Sequence, residues 1–400
     1  MISFLLTIRI QVLIVMPLLA FLAIRDLLTG KKIEKQELGF SFLLGSIYLL
    51  YPVFLLFTPS GYSRDVFSMM ERQSSLLLIP FVFTLLKNET RLFIYQQRLW
   101  FVFACIVSCF AGNLLYLFDG GLTGTVSHVS YRLFFEKITS MHPTYMGLFI
   151  TFSIALLMTN ENWNASIKGW VKGLIYLVLF VFLFALLPKS PIVALLVILS
   201  HFFVRNRKNK QILQPLMVSM ATAVLVAFLL PTSAQRINEF TALTQNGGTQ
   251  NVIDNSVNMR KLIWMIDTDL LKENWVWGIG PGKLNAEIFM QYFNRSISAG
   301  FPLGYYDTHN QYIFFWLCFG LLGITLFLFM LIIQFWKSIK HNNDLYLYLL
   351  ILLTITFFTE NVLSRQHGVI FYSVFTSLLF FLKNADYGIG KQLQRIQKTN

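Results

Sequence analysis

Charge is scarce in this chain. Of its 400 residues only 13% are Asp, Glu, Lys or Arg, and 56% are apolar. That is roughly half the charge of an average soluble domain, and no aqueous domain of independent size remains once the apolar stretches are set aside. Acidic residues are fewer still, 19 against 32 basic ones. Cysteine is limited to Cys105, Cys109 and Cys318, all inside apolar stretches. The first two share a helix face, but no His or further Cys stands near, so they read as core packing and not as metal ligands. No internal repeat is present, nor the matched pair of broken spans that marks many transporters. The first apolar stretch holds Arg9, is followed by Arg25, Lys31 and Lys32, and lacks a small-residue cleavage site, which argues against a secretory signal peptide.

What the chain does have is long apolar runs. About 20 apolar residues cross a hydrocarbon core as helix, and eleven stretches suit that role: 3–24, 38–57, 76–87, 99–118, 143–159, 169–187, 190–204, 213–232, 311–336, 344–360 and 368–382. The third and seventh are short, so the expected fold is an all-α polytopic membrane protein with about 11 spans, within 10–12. Lys and Arg crowd alternate connections, from Arg25–Lys35 and Lys87–Arg98 through Lys168, Lys172 and Arg205–Lys210 to Lys337, Lys340 and the tail. The positive-inside rule makes these cytoplasmic, with the N-terminus outside and the C-terminus inside. The net charge of +13 is mostly this asymmetry, so it suits an anionic bilayer and gives no argument for nucleic acid. The expected organisation is membrane helices over 1–232, a large extracytoplasmic loop over 233–308, membrane helices over 309–382 and a basic tail over 383–400.

The long loop is where chemistry is expected, because connections of this length are either functional or disordered. Residues 257–273 have helical periodicity and 284–294 are aromatic and amphipathic, suited to lie along a membrane surface. Residues 244–256 are polar and rich in Gly and Asn, a lid or linker composition. Where the loop enters the next helix stands His309, suited to accept a proton near neutral pH. Gly320 and Gly323 lie inside that helix, where small residues let another backbone approach. Each feature alone has a bland explanation in interfacial placement or helix packing. Asp267-Thr268-Asp269 spells a D-x-D pair, but on a helix i and i+2 point about 200° apart and cannot chelate one ion. Glu71, Glu136 and Glu360 stand isolated at span ends. No metal is expected.

Taken together, His309-Asn310, nine residues, Gly320, two residues and Gly323 resemble the signature of O-antigen ligases and related polysaccharide polymerases. Gly278-Ile279-Gly280 is similar to the G-x-G turn of that family, and Arg260 to Trp264 to its R-x-x-x-W segment. The likeness covers about 130–365 and is strongest over 260–325. This G-x-G follows no strand, so it does not suggest a dinucleotide site. Lys189 stands where relatives carry Arg after Ser, with Pro188 before it; it supplies a charge without the bidentate fork. His142, before Pro143 at a helix start, resembles the family's loop-to-helix junction.

The resemblance implies a GT-C-like membrane glycosyltransferase in a bacterial inner membrane, with a periplasmic site and, in most relatives, twelve spans with both ends cytoplasmic. It implies transfer of a glycan from a polyprenyl-diphosphate carrier to an acceptor glycan, lipid core or protein hydroxyl, with no cofactor. His309 would act as general base, Arg260 on the diphosphate, and Lys189, His142, Asn310 and Arg132 as substrate contacts. Gly278, Gly280, Gly320 and Gly323 would be structural. Ligation, polymerisation and protein glycosylation share these motifs. A lipid-linked glycan flippase or other transporter is the alternative of a different class, and would be expected to show paired intramembrane charges.

Overall fold

Apolar runs too long for loops leave the backbone one solution in lipid, the helix, which satisfies its own hydrogen bonds. In a computed structural model, residues 8–116, 118, 128–139, 141–229, 256–299 and 306–382 are described, and no strand occurs among them. The helices are α1 (Ile8–Leu28), α2 (Lys35–Leu44), α3 (Ser46–Leu55), α4 (Ser63–Gln73), α5 (Ser75–Leu85), α6 (Asn88–Gln96), α7 (Leu99–Tyr116), α8 (His128–Thr139), α9 (Pro143–Met158) and α10 (Glu161–Ser166). They continue as α11 (Gly169–Leu186), α12 (Lys189–Asn206), α13 (Lys210–Leu229), α14 (Ser256–Asn274), α15 (Leu284–Ala299), α16 (Gln311–Lys340), α17 (Asp344–Phe357) and α18 (Gln366–Phe381).

Where it is described, each expected apolar stretch falls mainly on helix, and the chain is a membrane protein that is all-α among the described residues. The number of spans is a separate matter. Four described helices (88–116 taken as one, α11, α12 and α16) are long and apolar enough to cross a membrane, and α2 with α3, bent by 63°, makes a fifth. The seventh expected stretch proves a full helix of 18 residues. Residues 244–255, Arg236, the first residues of the 3–24 stretch and the 383–400 tail lie outside the described residues.

Sequence character decides which helices are central. All of α9 is buried, as is α18 from His367 onward, because both are apolar all round and have no polar face to turn outward. Phe101 of α7, Phe149 and Phe152 of α9, and Phe371 and Phe375 of α18 meet edge to face or tilted at 4.7–6.0 Å. Such ring pairs add about 0.5–1.5 kcal/mol each beyond burial.

The basic connections gather at one end of this bundle. Arg91, fully buried, forms a fork on Glu37 (2.7 and 3.0 Å) and also donates to the carbonyls of Phe83 and Phe381. Lys31 joins the same carboxylate at 2.9 Å. Arg205 pairs with Asp344 at 2.7 Å, and Lys337 lies 3.6 Å from the ring centre of Phe380. The opposite end holds the starts of α9, α12 and α16 and the connection between α17 and α18.

Candidate active site

Four local structures bring the candidate residues to that opposite end. His142 caps α9, its Nδ1 accepting from the Thr144 amide at 3.4 Å, with Pro143 at the first helical position. Leu187 takes a left-handed conformation (φ 44°) that ends α11 and turns the chain so that α12 starts at Lys189. Asn310 caps α16, its Oδ1 accepting from the amides of Tyr312 and Ile313 at 3.0 and 3.2 Å; such caps contribute about 1 kcal/mol. The side-chain oxygen of Asn310 is therefore engaged by the helix start. Arg260 lies in the second turn of α14.

The connection 358–365 ties these pieces together. Asn361 Nδ2 donates to Thr308 Oγ1 at 2.7 Å, the Leu363 amide donates to Gln311 Oε1 at 2.7 Å, and Thr359 Oγ1 donates to Ser190 Oγ at 2.7 Å. At its centre is Glu360, whose side chain is only 9% exposed. Its Oε2 lies 3.2 Å from His309 Nδ1, and its Oε1 accepts from Arg260 Nη2 at 3.3 Å.

The expectation that Glu360 stands isolated is therefore overturned. In sequence it is 51 residues from His309 and 100 from Arg260, and only the packing of α14, α16 and α17 brings the three together. The available signal was Thr359-Glu360-Asn361, three polar residues in a row between apolar helices. Burial alone would raise the Glu360 carboxyl, but the His309 hydrogen bond and the charges of His309, His142 and Arg260 outweigh it and hold the group below its ordinary value. A lowered carboxyl contributes stability that is present above its unfolded value and lost as pH falls through the folded one.

His309 has a backbone φ of 45°, a left-handed conformation that costs a non-glycine residue about 1 kcal/mol or more and persists only when its surroundings impose it. A carboxylate beside Nδ1 favours the proton on that nitrogen. It leaves Nε2 as the acceptor, on a side chain that is 32% exposed.

Arg260 and Lys189 line one cavity of about 630 Å³, with Lys261, Trp264, Met265, Thr268, Asp269 and Lys272. His309 is not among its lining residues and is linked to it through Glu360 and Arg260. Arg132 belongs to α8, but its side chain lies outside the described residues. Asp267 and Asp269 have separate surroundings. Asp269 pairs with Lys272 at 2.8 Å and Arg295 at 2.6 Å. Asp267 is buried, which with the nearby charge of Asp307 pushes its carboxyl up to about 8.

The expectation that small residues here let another backbone approach holds at Gly320, where the approaching backbone belongs to a turn. Gly320 (φ 63°, ψ −152°) breaks α16, and the backbone that approaches it is the turn after α14. The Ile279 amide donates to the Leu317 carbonyl at 2.7 Å, and the Leu321 amide to the Val276 carbonyl at 2.9 Å. A Cβ on Gly320 would stand 2.1 Å from the Val276 oxygen, and one on Gly278 2.5 Å from the Gly320 nitrogen. The two motifs, about 40 residues apart in the chain, form one joint. Gly323 is covered by Phe315 and Phe319 of its own bent helix. Gly280 has φ 90°, and a Cβ there would meet open space.

Residues 174–328 match the family model described as O-Antigen ligase. The match takes in Lys189, Arg260, the glycine joint and His309; it begins after His142 and ends before Glu360. No curated protein matches the chain.

Proposed function

The chain is O-antigen ligase-like, its residues 174–328 matching that family's model, and we propose that it transfers a glycan from a polyprenyl-diphosphate carrier to an acceptor hydroxyl. We assign the reaction to the periplasmic side of a bacterial inner membrane. The observation that carries the reading is Glu360, which holds His309 and Arg260 together beside the cavity Arg260 shares with Lys189. The acceptor oxygen attacks the anomeric carbon, and its proton passes to Nε2 of His309. The bond from that carbon to the diphosphate oxygen breaks, and the electron pair leaves with the diphosphate. Direct displacement inverts the anomeric centre.

Charge stabilisation of the leaving group is the largest contribution expected. Arg260 supplies a planar donor fork and Lys189 a point charge. His309 contributes about 10²–10⁴-fold by removing the proton. The carrier is already activated, so no nucleotide or redox cofactor enters the scheme. The buried Asp267 and the twice-paired Asp269 are poor partners for a divalent cation. Asn310 remains a substrate contact only through its amide nitrogen.

Reconstituted with a polyprenyl-diphosphate-linked glycan and an acceptor, the protein is expected to form product at an unchanged rate in excess chelator. Activity that vanishes in chelator and returns with Mg²⁺ or Mn²⁺ would overturn the His/Arg scheme. Deleting the gene distinguishes the transfer types: long chains accumulating on carrier indicate a ligase, single repeats a polymerase.

The Lys/Arg bias supports an outer position for the site end. Cysteine at exposed Asn294 on α15 is expected to react with an impermeant thiol reagent on intact spheroplasts, and cysteine at exposed Asn209 is not. The three native cysteines are buried. The reverse pattern would invert the topology and separate the site from the outer leaflet.

A further inference from the structure

A second cavity lies at the basic end of the bundle, at the other end of α11 from the Leu187–Lys189 turn. It has a volume of about 710 Å³ and opens between the start of α11 and the start of α13. Among the described residues that line it there is one cation, Lys172, and no carboxylate. Lys172 is only 3% exposed, and its Nζ donates to the Asn164 carbonyl at 2.7 Å. That bond engages one of the three donors of an ammonium, and a buried charge held by a single neutral carbonyl is costly unless an anion joins it.

Asn164 also lines the cavity. Its amide nitrogen is fixed by the Met158 carbonyl at 3.0 Å, and its buried Oδ1 has no hydrogen-bond partner among the described residues. Gln211 and Gln214, both exposed on α13, add amides at the mouth.

Apolar and polar residues share the walls: Leu177 and Val218 line them, and Ser219 and Thr222 stand farther along α13. At about 1.5 Å per helical residue, Leu177 is about 7.5 Å along α11 from Lys172, and Val218 about 12 Å along α13 from Lys210. Trp170, also lining and 70% exposed, marks the headgroup level at which such rings collect. A cation beside Trp170, with Leu177 and Val218 farther along the two helices, matches the charge of an anionic glycerophospholipid and gives its chain apolar contacts. Basic pockets between helices on the cytoplasmic side hold anionic headgroups elsewhere.

We propose that this cavity binds an anionic phospholipid of the inner leaflet, its phosphodiester on Lys172 and an acyl chain along Leu177 and Val218. The site is independent of the transfer reaction proposed above.

The full chain in detergent, offered phosphatidylglycerol and phosphatidylcholine at equal concentration, is expected to retain phosphatidylglycerol preferentially in native mass spectra. Lys172→Gln keeps a donor for the Asn164 carbonyl but removes the charge. It should lower that preference about fivefold, the effect of one basic residue at an anionic surface. Lys168→Gln, an exposed lysine that does not line the cavity, should leave it unchanged. Equal binding of the two lipids by the wild type, or undiminished preference in folded Lys172→Gln, would overturn the proposal. Where Lys172→Gln does not fold, Gln211→Leu with Gln214→Leu is read instead, and preference equal to wild type again overturns it.

Discussion

His309→Ala is expected to lower the rate of glycan transfer by about 10²-fold or more while the protein remains folded and inserted. In the proposed scheme the imidazole takes the acceptor proton, so the loss should fall on kcat, with carrier binding near the wild-type value. Arg260→Ala should weaken carrier binding as well as the rate. Arg260→Lys should recover part of both, since charge returns without the fork. Glu360→Gln tests the link between them. It keeps the shape of the side chain but removes the carboxylate that faces His309 Nδ1 and Arg260 Nη2. Its defect should be smaller than that of His309→Ala and should alter the pH profile, because the base loses the carboxylate beside it. Single-turnover rates and carrier binding measured across pH separate these outcomes. A His309→Ala protein that turns over at the wild-type rate would remove the general base from the scheme.

Gly320→Ala is expected to cost about 3 kcal/mol or more. The conformation at 320 is open essentially to glycine alone, and forcing another residue into it costs about 1–3 kcal/mol. The added Cβ would also meet the Val276 oxygen at 2.1 Å and the Trp277 carbonyl carbon at 2.5 Å, displacing the turn and its two hydrogen bonds to α16, about 1 kcal/mol each. Gly280→Ala provides the contrast. Its φ of 90° also strains a side chain, but nothing lies within 4 Å of the added carbon, so it should cost less. Thermal unfolding in detergent, with protease cleavage in the 276–283 turn as a second readout, compares the two. A Gly320→Ala midpoint equal to wild type, or a greater loss from Gly280→Ala, would mean that the joint does not hold the loop to the helix. Because the same joint fixes the end of α14, which carries Arg260, transfer should fall along with stability.

The fold class and a set of candidate residues are legible in the chain before any packing is known. Runs of about 20 apolar residues admit little but membrane helix, and the described part of each such run is mainly helical. The spacing from His309 to Gly320 and Gly323, with Arg260 upstream, points to the family. The separation of Asp267 from Asp269 is also legible, since it follows from helix geometry alone. Other facts depend on pairs of residues far apart in the chain, and these come only from packing. Glu360 looks like any carboxylate at a helix end until α17 and α18 pack beside α16, and only then do the His309 ring and the Arg260 guanidinium reach it. Gly320 looks like a helix-packing glycine until the turn at Gly278 lies against it and opens the helix. Local composition records how each segment meets water or lipid, whereas which segments face one another is settled by how the helices pack.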